Sequence, residues 1–483
     1  MTRRLLLSGL VCVLGCLPLR AEERPNILFL FADDQCFDTI GAYGLKDVDT
    51  PHLDRLVERG MTFTHCYNMG SWSGAVCVAS RHMLNTGAFV WKAEKLANEF
   101  GGRGKPKAAE NFETRGLMWS QLMGQAGYDT YFTGKWHVRA NPEVIFQNVR
   151  NVRGGMPKQT EAGYNRPVDG QPDPWSPYDP RFGGFWEGGT HWSEVVKDDT
   201  LHFLEAAEKS EKPFFMYIAF NAPHDPRQAP KEFVDRYPLD RIEVPANFLA
   251  EYPYNEEIDN PRTLRDEKLA PFPRTKNAIR VHLQEYFAII THMDEQMGLI
   301  LDALEGSGEA ENTYIFFTAD HGLAVGQHGL VGKQNLYDHS MRVPMIAVGP
   351  GIEPGASTPA PVYLQDVMPT SLELAGAEIP GHVQFRSLKP VWEGESDGYE
   401  SIYGGYLKSQ RCVIRDGWKL LLYTKVPKIQ LFHVAEDPLE VNDVYAGNRE
   451  RARQLFAELL ALQPETGDVV DLREVFPELL SAE

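Results

Sequence analysis

The chain has 483 residues, of which 43% are hydrophobic and 24% are charged. This composition is typical of a globular protein with a large core, and it excludes a disordered or fibrous chain. The 67 acidic and 48 basic residues give a net charge of -19, which argues against nucleic acid or an anionic membrane surface as a partner. Since a single core rarely exceeds about 300 residues, the length predicts two domains or one large domain with an appendage.

The first 21 residues have the pattern of an export signal. Two arginines precede an apolar run at 5–19 that is too short to span a bilayer permanently. Cleavage after Ala21 predicts an exported protein, periplasmic or extracellular, while Cys16 leaves open a lipid anchor as the alternative. No later segment has the apolar length of a membrane span, so we expect none in the mature protein.

Apolar runs and helical patterns alternate along the chain after the signal. The first run lies between Pro25 and two aspartates, which is the pattern of a strand buried on both faces. Strands that alternate with helices predict an α/β fold with a mostly parallel central sheet covered by helices, in which ligands bind at the carboxyl ends of strands. The predicted strands lie at 26–32, 214–220, 313–319 and 343–348, and the predicted helices at 53–59, 117–126, 198–209 and 281–304.

The chain changes character at about residue 400. Short alternating segments at 402–407, 410–415, 419–423 and 430–433, followed by a helical pattern at 451–462, predict a small antiparallel sheet with a packed helix. We therefore divide the chain into a signal at 1–21, an α/β domain at 22–395 and a C-terminal subdomain at 396–483. Two long excursions, at 154–192 and 238–276, are either substrate contacts or surface decoration.

Polar side chains follow two of the predicted core strands. Asp33 and Asp34 end the first strand, and Asp320 and His321 end the strand at 313–319. Two adjacent carboxylates repel each other unless a cation neutralises them, although a helix cap is the ordinary interpretation of an isolated pair. Because carboxylate oxygens favour hard cations, the four side chains together predict a site for Ca²⁺, with Mg²⁺ as the alternative ion.

Six cysteines are present, and the four beyond the signal are too few for a disulfide scaffold. One of them opens the segment Cys77-Val-Ala-Ser-Arg81, which resembles the sulfatase signature Cys-x-Pro-Ser-Arg with Ala79 in place of proline. The family's trailing Leu-x-Thr-Gly is matched at 84–87. Further motifs that resemble this family follow in its order: Gly134-Lys135-Trp136-His137, Pro223-His224-Asp225-Pro226, Thr318 to Gly322, Gly326 to Gly329, and Gly332-Lys333.

The chain thus resembles the type I sulfatases over most of its length. The resemblance implies an alkaline-phosphatase-like α/β domain with a smaller C-terminal subdomain. It also implies that a modifying enzyme oxidises Cys77 to Cα-formylglycine, whose hydrated aldehyde is the nucleophile. One hydroxyl of the hydrate attacks sulfur, and loss of the proton from the other releases sulfate and restores the aldehyde.

The same resemblance assigns roles to the surrounding residues. A calcium ion beside residue 77, held by Asp33, Asp34, Asp320 and His321, would lower the pKa of the hydrate and polarise a sulfate oxygen. Arg81 would support the hydrate, and His137 would orient it or accept its second proton. Lys135 and Lys333 would neutralise the sulfate oxygens, and His224 would protonate the leaving alkoxide. Members of the family often carry Asn at the position of His321.

We therefore expect an exported sulfatase that acts on a sulfate ester, and the export together with the aromatic excursion favours a sulfated carbohydrate. A phosphoester or phosphonate hydrolase of the same fold is one alternative, and a sulfated-glycan binder in which Cys77 is never converted is the other. His191 either lines the site or has a structural role. No sequence pattern predicts the oligomeric state. The aromatic residues that could stack on sugar rings are Trp175, Tyr178, Phe185, Trp186 and Trp192.

Overall fold

The computed structural model describes residues 24–101 and 107–480, so the predicted signal and Cys16 lie outside the described residues. The strands are β1 Asn26–Ala32, β2 Met61–Phe63, β3 Cys66–Tyr67, β4 Gly70–Ser71, β5 Asp129–Lys135, β6 Asn148–Arg153, β7 Trp186–Glu187, β8 Thr190–His191, β9 Phe214–Ala219, β10 Thr313–Ala319, β11 Arg342–Val343, β12 Met345–Val348, β13 Ala356–Thr358, β14 Val362–Tyr363, β15 Ile402–Tyr406, β16 Gln410–Arg415, β17 Trp418–Tyr423 and β18 Lys428–His433. The helices are α1 Pro51–Arg59, α2 Val76–Thr86, α3 Val90–Glu99, α4 Trp119–Gln125, α5 Pro142–Ile145, α6 Trp192–Ala207, α7 Lys231–Asp235, α8 Lys276–Gly306, α9 Asp338–Met341, α10 Val367–Leu374, α11 Lys389–Trp392, α12 Arg449–Thr466 and α13 Leu472–Val475.

An eight-stranded sheet forms the centre of the molecule, in the spatial order β13-β2-β12-β10-β1-β9-β5-β6. β1 is parallel to both of its neighbours, β10 and β9, and all seven of its residues are buried. Only β12 runs antiparallel to the strands beside it. The predicted α/β class with a mostly parallel sheet is therefore confirmed.

Helices cover both faces of this sheet. Strand alternation directs Phe132 and Tyr217 to the face on which Trp119 of α4 packs. Tyr131, the neighbour of Phe132, contacts Phe203 of α6 on the opposite face. The long helix α8 packs against α1, α6 and α7, and α2 packs against α3, α4 and α10. Burial on both faces explains why the central strands read as continuous apolar runs.

The structure differs from the predicted elements in two places that matter for the site. The apolar run at 343–348 is not one strand, because Pro344 lacks the N–H that a continuous ladder requires, and β11 and β12 belong to different sheets. The sequence also failed to predict β5 and β6. β5 contains threonines and a glycine instead of a continuous apolar run, yet it is buried next to β9 and ends at Lys135.

The C-terminal region forms the expected antiparallel sheet, in the order β18-β17-β16-β15-β4, with α12 packed on β16 and β17. Its outer strand β4 comes from residues 70–71, far earlier in the chain, and pairs parallel to β15. The division at 395 remains a prediction. None of the helices in the described ranges is both long and apolar enough to cross a bilayer.

A buried ion pair supports each excursion: one joins the first excursion to α8, and the other lies within the second excursion. Arg166 of the first excursion lies 2.6 Å from Glu285 of α8, and both side chains are 3% exposed. In the second excursion Arg274 pairs with Glu267, and both side chains are fully buried. Each pair is shielded from water, so breaking either one would leave a buried charge without a partner.

Candidate active site

Three buried carboxylates and an imidazole meet at the carboxyl edge of the sheet. Asp33 and Asp34 follow β1, while Asp320 and His321 follow β10, and the two strands are parallel neighbours that end in register. The backbone N–H of Asp34 donates to Oδ1 of Asp320 at 3.1 Å. The four predicted ligands are therefore adjacent because the topology places the ends of two neighbouring strands side by side.

Cys77 lies among these groups at the start of α2, with only 2% of its surface exposed. Its Sγ is 3.3 Å from Nε2 of His321 and 3.3 Å from Nζ of Lys135. Nζ of Lys333 is 3.5 Å away. Burial alone would raise the pKa of this thiol, but the charges of the two lysines and His321 outweigh it and hold the pKa well below its ordinary value.

The donor set fits a hard divalent cation. One atom from each of Asp33, Asp34, Cys77, Asp320 and His321 lies within 4.8 Å of all the others. Oδ1 of Asp33 is buried and accepts no hydrogen bond, although Nη2 of Arg81 lies 3.7 Å away, so it retains the capacity to bind an ion. Burial and the neighbouring Asp320 raise the pKa of Asp33 well above its ordinary value, which is the strain that a bound cation would relieve.

Three cationic side chains face the same carboxylates. Nε of Arg81, on α2, lies 2.9 Å from Asp320, and its Nη1 donates to the backbone oxygen of Lys135 at 2.7 Å. Lys135, at the end of β5, pairs with Asp33. Lys333 pairs with Asp34 at 2.6 Å. Burial lowers the pKa of Lys333, but Asp34 outweighs that effect and raises it, so this lysine keeps its charge.

Two histidines complete the predicted set. Nε2 of His224 lies 3.6 Å from Asp34, and its Nδ1 lies 2.7 Å from the backbone oxygen of Asp225. His137 follows β5 with φ of 51°, in the left-handed region, which turns its ring away from the path of the strand. Burial lowers the pKa of His137, and a hydrogen bond from the protonated ring to the sulfur of Cys77 opposes that shift only partly. A neutral His137 can accept a proton.

All ten predicted site residues thus lie in one cluster, in which His137 is partly exposed and the other nine are buried, whereas His191 has a structural role. His191 precedes α6, where its Nδ1 accepts the backbone N–H of Ser193 at 3.1 Å, and its Nε2 lies 2.9 Å from the backbone oxygen of Gln228. Both ring nitrogens are therefore used by the backbone. Burial and the neighbouring His292 hold its pKa well below the ordinary value.

Sequence reasoning missed a set of residues beside His224. Arg265 of the second excursion pairs with Asp225, and Asp266 accepts from Nε2 of Gln334 at 2.8 Å. Gln334 follows Lys333 directly in the chain and accepts its backbone N–H at 3.0 Å. The only sequence signal for these residues is the high density of charged side chains in the second excursion. Contacts between segments that lie far apart in the chain produce no recognisable spacing in the sequence.

Comparison with known proteins identifies the family to which the chain belongs. A model of the sulfatase family matches residues 25–377, and a model of the C-terminal region of N-sulphoglucosamine sulphohydrolase matches residues 326–464. An N-acetylglucosamine-6-O-sulfatase of Bacteroides thetaiotaomicron is 26% identical, and the alignment covers 92% of this chain and 86% of the relative.

Solved structures share the fold. One, a protein in complex with its substrate D-glucosamine-2-N,6-O-disulfate, has a TM-score of 0.70 at 24% identity, with 92% of this chain and 99% of that chain covered. The phosphonate monoester hydrolase of Silicibacter pomeroyi has a TM-score of 0.71 at 20% identity, over 93% of this chain and 96% of its own. At these identities the likeness establishes the fold and leaves the substrate to other arguments.

Proposed function

The chain belongs to the sulfatase family and is a sulfuric ester hydrolase of alkaline-phosphatase-like fold, and from that premise we propose that it is exported and removes sulfate from a sulfated carbohydrate. The observation that carries the proposal is the position of Cys77, buried at the start of a helix among three carboxylates and two lysines. The carbohydrate part is supported by the relative named for a 6-O-sulfated sugar. Of the aromatic residues predicted to stack on sugar rings, Trp175 and Phe185 are buried and cannot do so, whereas Tyr178 is exposed.

We propose that Cys77 is the residue converted to Cα-formylglycine by a modifying enzyme. A hydrated aldehyde supplies two hydroxyl groups on one carbon. One hydroxyl attacks sulfur, and deprotonation of the other then expels sulfate and restores the aldehyde. The side chain at this position has Arg81 one helical turn further along α2 and the rings of His137 and His321 beside it. These neighbours hold the reacting oxygens in place and can remove a proton from them.

The cationic side chains have the positions that sulfate requires. Lys135 and Lys333 approach the Cys77 sulfur from different elements at 3.3 and 3.5 Å, so an oxyanion bonded there would have a positive charge on each of two sides. Charge that develops on the sulfate oxygens during transfer is then neutralised without any movement of the protein. His224 is the proposed acid that protonates the leaving oxygen.

The proposed metal ligands are Asp33, Asp34, Asp320 and His321, beside residue 77. A bound calcium ion, or magnesium in its place, supplies Lewis-acid polarisation of a sulfate oxygen and favours ionisation of the nucleophile. The three carboxylates hold the ion by charge. Oδ1 of Asp33 supports this assignment, because it accepts no hydrogen bond and has only the guanidinium of Arg81 at 3.7 Å to offset its charge, and a buried anionic oxygen is costly without closer compensation.

Two measurements test the proposal. Peptide mass spectrometry across Cys77, on protein expressed with a formylglycine-generating enzyme, should show the loss of mass that accompanies conversion of a thiol to an aldehyde. Sulfate release from 4-nitrophenyl sulfate and from N-acetylglucosamine 6-sulfate should then be abolished in Cys77→Ala. Conversion without turnover of any sulfate ester, or full activity of Cys77→Ala, would contradict it. Binding without turnover would instead favour a sulfated-glycan binder.

A phosphonate or phosphate ester is the second candidate substrate, since a phosphonate monoester hydrolase shares the fold. A phosphate monoester carries one more charge than a sulfate ester and would require more neutralisation. A phosphonate monoester carries a single charge, as a sulfate ester does, so turnover of 4-nitrophenyl sulfate, 4-nitrophenyl phosphate and 4-nitrophenyl phenylphosphonate by the same preparation separates the candidates. We also propose that the chain is exported by the signal at 1–21, and N-terminal sequencing distinguishes cleavage after Ala21 from a lipid anchor at Cys16.

A further inference from the structure

The general acid proposed above is held by a residue from a distant part of the chain. Nδ1 of His224 faces two oxygens of Asp225, the backbone oxygen at 2.7 Å and carboxylate Oδ1 at 3.2 Å. Because both are acceptors, Nδ1 carries a hydrogen and donates it. Nε2 is then the nitrogen that faces the site, 3.6 Å from Asp34. Asp225 thus sets which nitrogen of the ring reaches the reacting groups.

Asp225 is in turn held by Arg265 of the second excursion. The two ends of the guanidinium contact the two carboxylate oxygens, with Nη1 paired to Oδ2 and Nη2 3.1 Å from Oδ1. This bidentate geometry fixes the plane of the carboxylate, which a single point charge could not do. Burial would raise the pKa of Asp225, but Arg265 and His224 outweigh it and keep the carboxylate ionised.

Arg265 is itself fixed from a second direction. Its Nη2 lies 2.5 Å from Oδ1 of Asp266, and Oδ2 of Asp266 accepts from Nε2 of Gln334 at 2.8 Å. The same Nε2 donates to the backbone oxygen of Gly74 at 2.9 Å, shortly before the helix that carries Cys77. Asp266 and Gln334 therefore connect the guanidinium to the segment that carries Lys333 and to the segment that precedes α2.

We propose that Arg265 is a positioning residue for the general acid, acting on His224 through Asp225. The inference depends on the function proposed above. In the forward step Nε2 of protonated His224 gives its proton to the oxygen of the leaving alcohol as the bond from that oxygen to sulfur breaks, and the ring remains neutral with its hydrogen on Nδ1. Arg265 holds Asp225 where it accepts the hydrogen on Nδ1 of the ring and thereby fixes the direction of Nε2.

Removal of Arg265 should lower kcat most for esters whose leaving group depends most on protonation. Phenyl sulfate and 4-nitrophenyl sulfate have nearly the same shape, but phenolate is the more basic leaving group and depends more on protonation. In Arg265→Met we expect kcat for phenyl sulfate to fall at least 10-fold and kcat for 4-nitrophenyl sulfate to fall less than about 3-fold, with KM nearly unchanged. General acids contribute about 10²-fold to 10⁴-fold, so the difference is measurable.

Arg262→Met is the matched control. Arg262 belongs to the same excursion and also forms an ion pair, with Glu251, but its side chain is 56% exposed, against 32% for Arg265. The Arg262→Met variant should leave kcat for both esters within about 2-fold of the wild type. Because Arg265 acts through His224, the double variant Arg265→Met/His224→Ala should be no slower on phenyl sulfate than His224→Ala alone.

The outcomes separate this inference from the function on which it depends. A wild-type enzyme with converted Cys77 that releases sulfate from neither ester refutes the function, and the inference with it. If the wild type is active and Arg265→Met slows both esters equally, the role of Arg265 is general structural support and the inference fails. A rise in KM at constant kcat would make Arg265 a substrate contact and would also overturn it. Thermal unfolding of every variant verifies the fold.

Discussion

The ion pair between Arg411 and Asp468 should stabilise the C-terminal region more than any exposed pair there. Both side chains are 1% exposed, and the guanidinium contacts the carboxylate at 2.7 Å through Nε and again through Nη2. The pair joins β16 to the segment after α12, and the guanidinium also lies 4.6 Å from the ring of Trp91 on α3. Arg411→Met would leave a buried carboxylate without its cation, at a cost of about 3 to 5 kcal/mol of unfolding free energy.

Urea unfolding followed by tryptophan fluorescence measures this cost. The control is Arg415→Met, which breaks an ion pair between the same strand, β16, and Glu458 of α12. Arg415 and Glu458 are 33% and 27% exposed, so this loss should stay below about 1 kcal/mol. Adding Asp468→Asn to Arg411→Met removes the stranded charge and should recover about 1 kcal/mol or more. Equal losses in the two single variants would refute the reasoning from burial.

Three further predictions concern the site and its supports. Millimolar Ca²⁺ should raise the melting temperature of the wild type, and a chelator should lower both the melting temperature and sulfate release, because the ion relieves repulsion among buried carboxylates. Gly134→Ala should cost more than about 2 kcal/mol in urea unfolding, since Gly134 has φ of 92° and a Cβ there would lie 1.8 Å from the oxygen of Ala219. Burial raises the pKa of Asp294 to about 7, above its value of about 4 in the unfolded chain. The folded state therefore gains stability from the protonated carboxyl, fully below about pH 4, and this contribution is lost as the pH rises through 7. Asp294→Asn cannot ionise, and its stability relative to wild type should therefore increase between pH 4 and 8.

Sequence reasoning was most successful where chemistry follows a buried strand. The apolar run of β1 ends at Asp33, and that of β10 ends at Asp320, so the rule for parallel sheets predicts that these carboxylates lie together, as the structure shows. It was less successful where a strand contains polar residues. β5 carries Lys135 into the site, but its threonines and Gly134 hid it from a search for apolar runs.

The supports of the site could not be predicted from local pattern at all. Arg265 meets Asp225 across 40 positions of sequence, and nothing near either residue marks the contact. Pairing of this kind depends on how the second excursion folds over the sheet, which is decided by buried contacts such as those of Glu267 Oε1 with the backbone N–H groups of Val331 and Gly332. The role of His191 was also ambiguous in the sequence. A histidine can cap a helix or line a site with the same polar ring, and only its contacts distinguish the two.

The outer strand of the C-terminal sheet has a consequence for the order of events during synthesis. Gly70 and Ser71 pair with residues of β15 that emerge several hundred residues later, so the segment leading into α2 cannot reach its final place until the end of the chain exists. Cys77 is 2% exposed once that place is reached. The proposed oxidation of Cys77 therefore belongs to the interval before the last strands arrive, and a slower completion of the chain would lengthen the time available to the modifying enzyme.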